Sequence, residues 1–163
     1  MKTAILALAV ISALFVTPAP ALSQEAGTSR QQVEAARQLI REGARQFIED
    51  ELPLSDGEAE KFWQLYAAYR QQVIAVEDEY VELIREFIEK YDRYSLTDAD
   101  ADEMTDRYFD IKIRVLQARQ SYLPRFREIL SGMTVMRLYQ LENKVQAEID
   151  ATLALLVPLA DPS

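Results

Sequence analysis

The sequence predicts an all-α protein of four helices, in which the second and third helices form a long antiparallel central hairpin. Two observations carry this prediction. Apolar residues recur three and four positions apart in four successive stretches, and no stretch alternates as a strand would. The chain also has only 4 Gly and 6 Pro, and three of the prolines lie near its two ends. Long uninterrupted helices are therefore expected.

The first 23 residues are not counted as part of the fold, because they have the pattern of a secretory signal peptide. Lys2 gives a charged start, and residues 4–16 are an unbroken apolar run that is too short to span a membrane. Small residues suit cleavage after Ala21 or after Ser23. The alternative is an uncleaved membrane anchor. We expect an exported, periplasmic protein that is not stably inserted in the membrane.

Composition excludes several classes of function. The 163-residue chain has a net charge of −9 and contains no Cys and no His. Removal of the predicted signal peptide takes away one cation, Lys2, and no acid, so the remainder is more acidic still. Such a protein is not expected to bind nucleic acid, and its core must be stable without disulfides. The usual ligands of transition metals are missing, and no nucleophile–base pair or phosphate-binding loop occurs. We predict that it is not an enzyme and has no cofactor.

Start and stop signals divide the rest of the chain. Residues 24–29 are a loose N-terminus, residues 30–158 a single helical domain, and residues 159–163 a tail. Pro53 ends the first helix, and Ser55 with Glu58 forms a capping box at the start of the second. The predicted helices cover about Arg30–Glu51, Ser55–Tyr94 and Met133–Leu156. The third helix is expected to begin after Thr97 as its N-cap and to have a kink at Pro124, and Gly132 breaks its pattern.

The second helix requires a partner of similar length. Its apolar residues hold a heptad seam over more than three repeats, and at 1.5 Å per residue the helix is roughly 58 Å long. The third helix has a comparable seam, and the short link between the two forces an antiparallel hairpin. With the turn centred between Ser95 and Leu96, Lys112 is expected to face Glu79 and Arg114 to face Glu77.

The acidic run at the start of the third helix resembles a calcium-binding loop only in part. Asp98, Asp100 and Asp102 match the first three acids of an EF-hand loop. Glu103 stands where that loop needs Gly, and Phe109 stands where it needs a bidentate Glu. Because acids also stabilise the positive end of a helix dipole, we interpret this run as a helix start without a metal.

Two helix starts resemble a family motif. The segments from Leu54 to Glu58 and from Leu130 to Thr134 are similar to the L-T-x-x-Q motif of the Spy/CpxP-like periplasmic proteins, with Ser55 and Ser131 in place of Thr. The stretches "FWQLYAAY" and "RLYQLENKV" resemble a poorly characterised subgroup.

The resemblance implies a curved, antiparallel homodimer of bent helical hairpins. It also implies a role as an ATP-independent chaperone or a regulator of an envelope-stress pathway. The metal-binding members use histidines, which this chain lacks. Chaperone members tend to have a basic concave face, whereas this chain is acidic overall.

One end of the predicted hairpin combines arginines with aromatic residues. The third helix there faces residues 63–76, a stretch without acids whose only charge is Arg70. Guanidinium groups and aromatic rings together suit a surface that binds partly unfolded chains. Packing in the core or in a dimer is the alternative. The candidate client-binding residues are Trp63, Arg70, Arg119, Arg125, Phe126 and Arg127.

A further polar set lies on the fourth helix. Arg137, Gln140 and Glu142 are expected to form inter-helix hydrogen bonds that fix this helix to the hairpin. The sequence thus favours a periplasmic chaperone-like or envelope-stress accessory protein that binds unfolded or partly folded proteins and itself. The alternatives are a regulatory adaptor that docks on one envelope partner, such as a sensor kinase domain, and a purely structural dimer.

Overall fold

The computed structural model describes residues 42–161, and the all-α prediction is confirmed for them. Four helices and no strand occur in this range: α1 over residues 42–51, α2 Asp56–Asp92, α3 Asp98–Ile129 and α4 Gly132–Leu156. The predicted signal peptide, residues 24–29 and the beginning of the first helix lie outside the described residues, as do the last two residues of the tail. The described residues from Ala44 onward form one compact unit.

The start of α2 follows the predicted capping box. Ser55 has an extended backbone, with φ −73° and ψ 160°. Its N–H and its hydroxyl both donate to the Glu58 carboxylate, at 2.9 and 2.6 Å. These bonds lower the pKa of Glu58, because they stabilise its charged form. The sequence pattern therefore located this helix start to within one residue.

The end of α2 is a Schellman motif, which ends the helix at Asp92, two residues before the predicted position. The N–H of Tyr94 donates to the carbonyl of Tyr91 and the N–H of Ser95 to that of Lys90, both at 3.0 Å. Tyr94 has φ 53°, the left-handed region that favours glycine, and its side chain is 98% exposed. The turn between α2 and α3 therefore contains a strained residue that the sequence pattern did not reveal.

Thr97 is the N-cap of α3, as predicted. The Asp100 N–H donates to the Thr97 hydroxyl at 3.2 Å, while the Asp100 carboxylate accepts from the Thr97 N–H at 3.0 Å. Lys90 donates to the same carboxylate at 2.6 Å from the last turn of α2. The hydrogen bonds from Lys90 and then from Thr97 lower the pKa of Asp100 to about 2. This acid therefore caps one helix and pairs with the other.

The hairpin is antiparallel, with a register within two residues of the predicted one. Arg114 pairs with both oxygens of Glu79, at 2.8 and 2.6 Å, rather than with Glu77. Lys112 does not face Glu79: it lies 4.3 Å from the centre of the Tyr80 ring and 3.8 Å from Asp150 of α4. The predicted contact between Lys112 and Glu79 is wrong because α4 packs beside the hairpin and brings the Asp150 carboxylate close to Lys112.

The core consists of two clusters of unequal size. The larger cluster brings α1, α2, α3 and α4 together at the end of the hairpin far from its turn. The smaller cluster lies nearer the turn, and only Leu83, Met104 and Ile111 are buried in it. α3 runs through Pro124 as one helix. The fully buried large side chains all belong to the first cluster: Ile48, Phe62, Tyr69, Val73, Phe126 and Leu138.

Candidate functional site

A buried carboxylate connects α4 to the hairpin. Glu142 is only 4% exposed. It accepts hydrogen bonds from the hydroxyls of Tyr66 and Tyr69, at 2.6 and 3.2 Å, and from the Arg70 guanidinium at 3.1 Å. All three donors are on α2. The carboxylate is satisfied by one charged and two neutral donors, which is what burial of an ionised acid requires.

The surroundings of Tyr66, Tyr69 and Arg70 keep these three donors protonated at neutral pH. Burial first, and the Glu142 carboxylate second, raise the pKa of Tyr66 and of Tyr69, so both hydroxyls stay protonated donors. Burial lowers the pKa of Arg70, but the carboxylates of Glu142 and Glu77 together raise it by more, so the net shift is upward. This arrangement is closed and structural, and it offers no group for proton transfer.

The stretch without acids led to the expectation that Arg70 and Arg119 have no acidic neighbours, and this expectation is wrong. Their side chains are only 20% and 13% exposed, and both lie beside Glu77, at 3.4 and 3.9 Å. Arg119 also donates to Gln146 at 3.4 Å. Glu77 stands one residue beyond the acid-free stretch 63–76, and Glu142 arrives from α4. Glu77 of the hairpin therefore lies beside both arginines, and the packing of α4 adds a second acid, Glu142, for Arg70.

The two aromatic candidates are also placed differently from what a binding surface needs. Phe126 is fully buried, with its ring centre 5.5 Å from that of Tyr69, so it belongs to the core. Trp63 is half-buried, and the Arg45 guanidinium of α1 lies 5.0 Å from the centre of its ring. Phe126 is therefore a core residue and not part of a binding surface. It lies in the apolar seam of α3, and this seam is buried although two arginines stand next to Phe126 in the sequence.

Arg125 and Arg127 are the members of the predicted set that do lie on the surface. Both are exposed. The Arg125 guanidinium lies 4.8 Å from the centre of the Tyr122 ring. Arg127 has no ion pair with any described residue. Both lie in the last turns of α3, but residues two positions apart on a helix do not share a face. Arg70, Arg119 and Phe126 are inside the fold.

The family-like motifs serve as caps and core anchors. The Ser131 hydroxyl accepts from the Thr134 N–H at 3.2 Å at the start of α4. Leu130 is buried, and Leu54 packs against the larger cluster from a partly buried position. Since Ser55 and Glu58 are occupied with each other, these residues are accounted for by local structure.

The polar set on α4 is divided. Glu142 bonds to the hairpin, as described above. Arg137 instead donates to the Glu51 backbone carbonyl at 2.6 Å and to its carboxylate at 3.2 Å, which connects α4 to the end of α1. Gln140 is exposed, and its side chain makes no hydrogen bond within residues 42–161. The expectation that all three fix α4 to the hairpin is therefore wrong for Arg137 and Gln140.

The largest exposed apolar feature of the hairpin is on α3. Phe109, Ile113 and Leu116 are 59%, 54% and 66% exposed, and they are spaced four and three residues apart. We call them the α3 row. They lie on a different face from the buried Ile111 and Ala118. Sequence reasoning missed the row because it followed the stronger seam of α3. The signal that was present is a second set of large apolar residues at helical spacing.

A cleft of about 220 Å³ adjoins the row where α2, α3 and α4 meet. Leu116 belongs to both features. The cleft is lined by apolar side chains together with the ion pairs of Lys112 and Arg119 described above. Within the described range no three metal-binding side chains lie close together, and no helix there is both long and apolar enough to cross a membrane.

Comparison with protein-family models, with curated proteins and with solved structures found no match. The likeness to the Spy/CpxP-like proteins accordingly stays a prediction from the sequence, and the candidate site is judged on its geometry alone.

Proposed function

We propose that the protein is an ATP-independent, chaperone-like protein of the bacterial envelope that binds unfolded or partly folded proteins through the α3 row. The observation that carries the proposal is the exposure of Phe109, Ile113 and Leu116 on one helix face. Contiguous exposed apolar side chains on a soluble protein mark interaction surfaces. The fold is held by helix caps and, at the end of the hairpin far from its turn, by the buried Glu142 bonds, none of which involves the row.

The proposal makes a direct prediction for aggregation. The purified protein, exported with its own leader, is mixed at stoichiometric levels with a chemically denatured, unrelated protein, and light scattering is followed without ATP. We expect suppression by the wild type and little suppression by Phe109→Ser with Ile113→Ser. Both side chains are more than half exposed, so the variant should keep its helical circular dichroism.

Leu155→Ser is the matched control. Leu155 is 88% exposed near the end of α4 and is not part of the row, so its loss removes a similar apolar side chain from another surface. We expect this variant to suppress aggregation as well as the wild type. Equal activity of the row variant, or absence of suppression by the folded wild type, would contradict the proposal.

A regulatory adaptor is the second candidate, and the regular helical spacing of the row favours it, because such spacing suits one helical partner segment. The same assay separates the two functions. A chaperone suppresses aggregation of several unrelated substrates, whereas an adaptor for one envelope protein, such as a sensor kinase domain, suppresses none.

Export and self-association are part of the proposal. The signal-peptide pattern supports a periplasmic location, which N-terminal sequencing of the mature protein from a periplasmic extract would test. The family resemblance supports a homodimer, which sedimentation velocity would test. A chain that keeps residues 1–23 or stays in the cytoplasm would contradict export. A monomer at micromolar concentration would contradict the homodimer.

A further inference from the structure

Acidic and basic residues are segregated along α3, with the acids in its first half and the bases in its second. From Asp98 to Asp110 the helix has six acids and only one base, whereas from Ile111 to Ile129 it has five bases and only one acid, Glu128. An acidic first turn is usual for a helix, but the acids here continue for three turns. The α3 row begins at the acidic half, so its two ends differ in electrostatic character.

Two exposed acids that precede the α3 row are not consumed by ion pairs of the fold. Asp100 pairs with Lys90, and Asp110 pairs with Arg114 at 2.8 Å. Asp102 and Asp106 are exposed and have no ion pair with any described residue. By contrast, the bases that follow are mostly neutralised by acids of α2 and α4, as Arg114 is by Glu79. The net field near the row is therefore negative.

Asp102 and Asp106 continue the α3 row along the same helix face. The positions 102, 106, 109, 113 and 116 are spaced four, three, four and three residues apart, which is a single heptad line. At 1.5 Å per residue the line is about 21 Å long. A helix laid along it would meet two carboxylates first and three large apolar side chains next.

We infer that the α3 row binds an amphipathic helical segment of a partner protein whose apolar face has lysine or arginine at one end. The inference rests on the proposed function and names the class of its client. Charge complementarity with Asp102 and Asp106 identifies the basic end, and Phe109, Ile113 and Leu116 receive the apolar residues.

A second copy of this chain is a less suitable partner for the α3 row than such a helical segment. Three half-exposed side chains offer on the order of 300 Å² of apolar surface, far below the roughly 800 Å² per partner of a stable interface. A surface of that size suits transient binding, and transient binding suits a protein that must release its clients.

Two synthetic peptides of about 18 residues test the inference. Both have the same heptad apolar face, and their flanking charges are lysines in one and glutamates in the other. Binding to the full-length mature protein is measured by fluorescence anisotropy. We expect the lysine peptide to bind, and its affinity to fall as salt rises from about 0.05 to 0.5 M, because exposed charges are screened. The glutamate peptide should bind at least tenfold more weakly.

Matched variants locate the site. Asp102→Asn with Asp106→Asn should weaken the lysine peptide roughly 2- to 30-fold, which is the range for two exposed ion pairs. Glu60→Gln with Glu128→Gln makes the same change in net charge at exposed positions outside the line, and should leave the affinity unchanged. Ile113→Ser should weaken both peptides by removing an apolar contact.

Three results would overturn the inference. Equal binding of the two peptides would remove the charge preference, and equal weakening by the control pair would reduce it to overall charge. A dimer that dissociates on Ile113→Ser, with neither peptide bound, would make a second copy the occupant. If unrelated substrates are still protected from aggregation in any of these cases, the proposed function stands and only the client class is wrong.

Discussion

Replacement of Glu142 by leucine tests the buried polar contacts that hold α4 against the hairpin. Glu142→Leu leaves Tyr66 and Tyr69 without the acceptor for their buried hydroxyls. It also leaves Arg70 with one carboxylate, that of Glu77 at 3.4 Å, instead of two. A leucine side chain is close to glutamate in size, so the variant removes the bonds and adds little strain.

The expected loss of stability is about 3 kcal/mol. Removal of one partner from a buried ion pair costs roughly 3–5 kcal/mol, and each orphaned buried hydroxyl adds roughly 1 kcal/mol or more. Two features offset this. Arg70 is 20% exposed and keeps Glu77, which lowers the first cost, and burial of a leucine side chain gains roughly 1.5–3 kcal/mol. The net loss of stability therefore lies near the lower limit of the range for removing one partner of a buried ion pair.

Urea unfolding followed by far-ultraviolet circular dichroism measures the change. The double variant Arg70→Met with Glu142→Leu should recover at least half of the loss, because no buried charge is then without its partner. Glu60→Leu, an exposed position on α2, is the control and should change stability by less than about 0.5 kcal/mol. A single variant as stable as the wild type would refute the reasoning, as would a double variant no more stable than the single one.

Three further predictions concern the hairpin turn and the titrating groups. Tyr94→Gly should stabilise the protein by about 1 kcal/mol in thermal unfolding, because glycine adopts φ 53° without strain. Asp100, with a pKa of about 2 against a usual 3.8, contributes stability that is present above pH 3.8 and lost as the pH falls toward 2; Asp100→Asn should abolish this dependence in unfolding curves measured at stepped pH. Tyr66 and Tyr69, whose pKa values are raised above 10, contribute stability that is present below pH 10 and lost above it. An absorbance titration should show them ionising only as the protein unfolds, and normal ionisation of all tyrosines in the folded state would contradict this.

Local features of the fold were predictable because local chemistry determines them. Ser55 was identified as an N-cap from its residue type and from the acid three positions later, and Thr97 from its residue type and the acids that follow it. Both cap as expected. The antiparallel hairpin followed from two long seams and a short link. The exact end of α2 was not predictable, since Tyr94 adopts a conformation that residue type argues against.

The surroundings of the arginines were not predictable from the hairpin register. A register of two helices predicts which residues face each other across one interface. Arg119 instead lies beside Glu77, outside the stretch predicted to face it, and Arg70 has acids on both α2 and α4. Glu142 reaches Arg70 from α4. No local sequence pattern determines the orientation that α4 takes after Ser131. Charge left over from a two-helix alignment is therefore a poor guide to surface charge once a third helix packs on the pair.

The unequal packing of the hairpin favours one of its ends as a binding surface. The end that contains the predicted arginines and aromatics also contains the larger core cluster and the Glu142 bonds, so its side chains are held in place and cannot adapt to varied partners. The α3 row lies beside the smaller cluster, where only three residues are buried. Regions with few buried apolar contacts open locally at low free energy. A surface that must accept different client segments benefits from such local freedom, and this argues for the α3 row over the arginine-rich end.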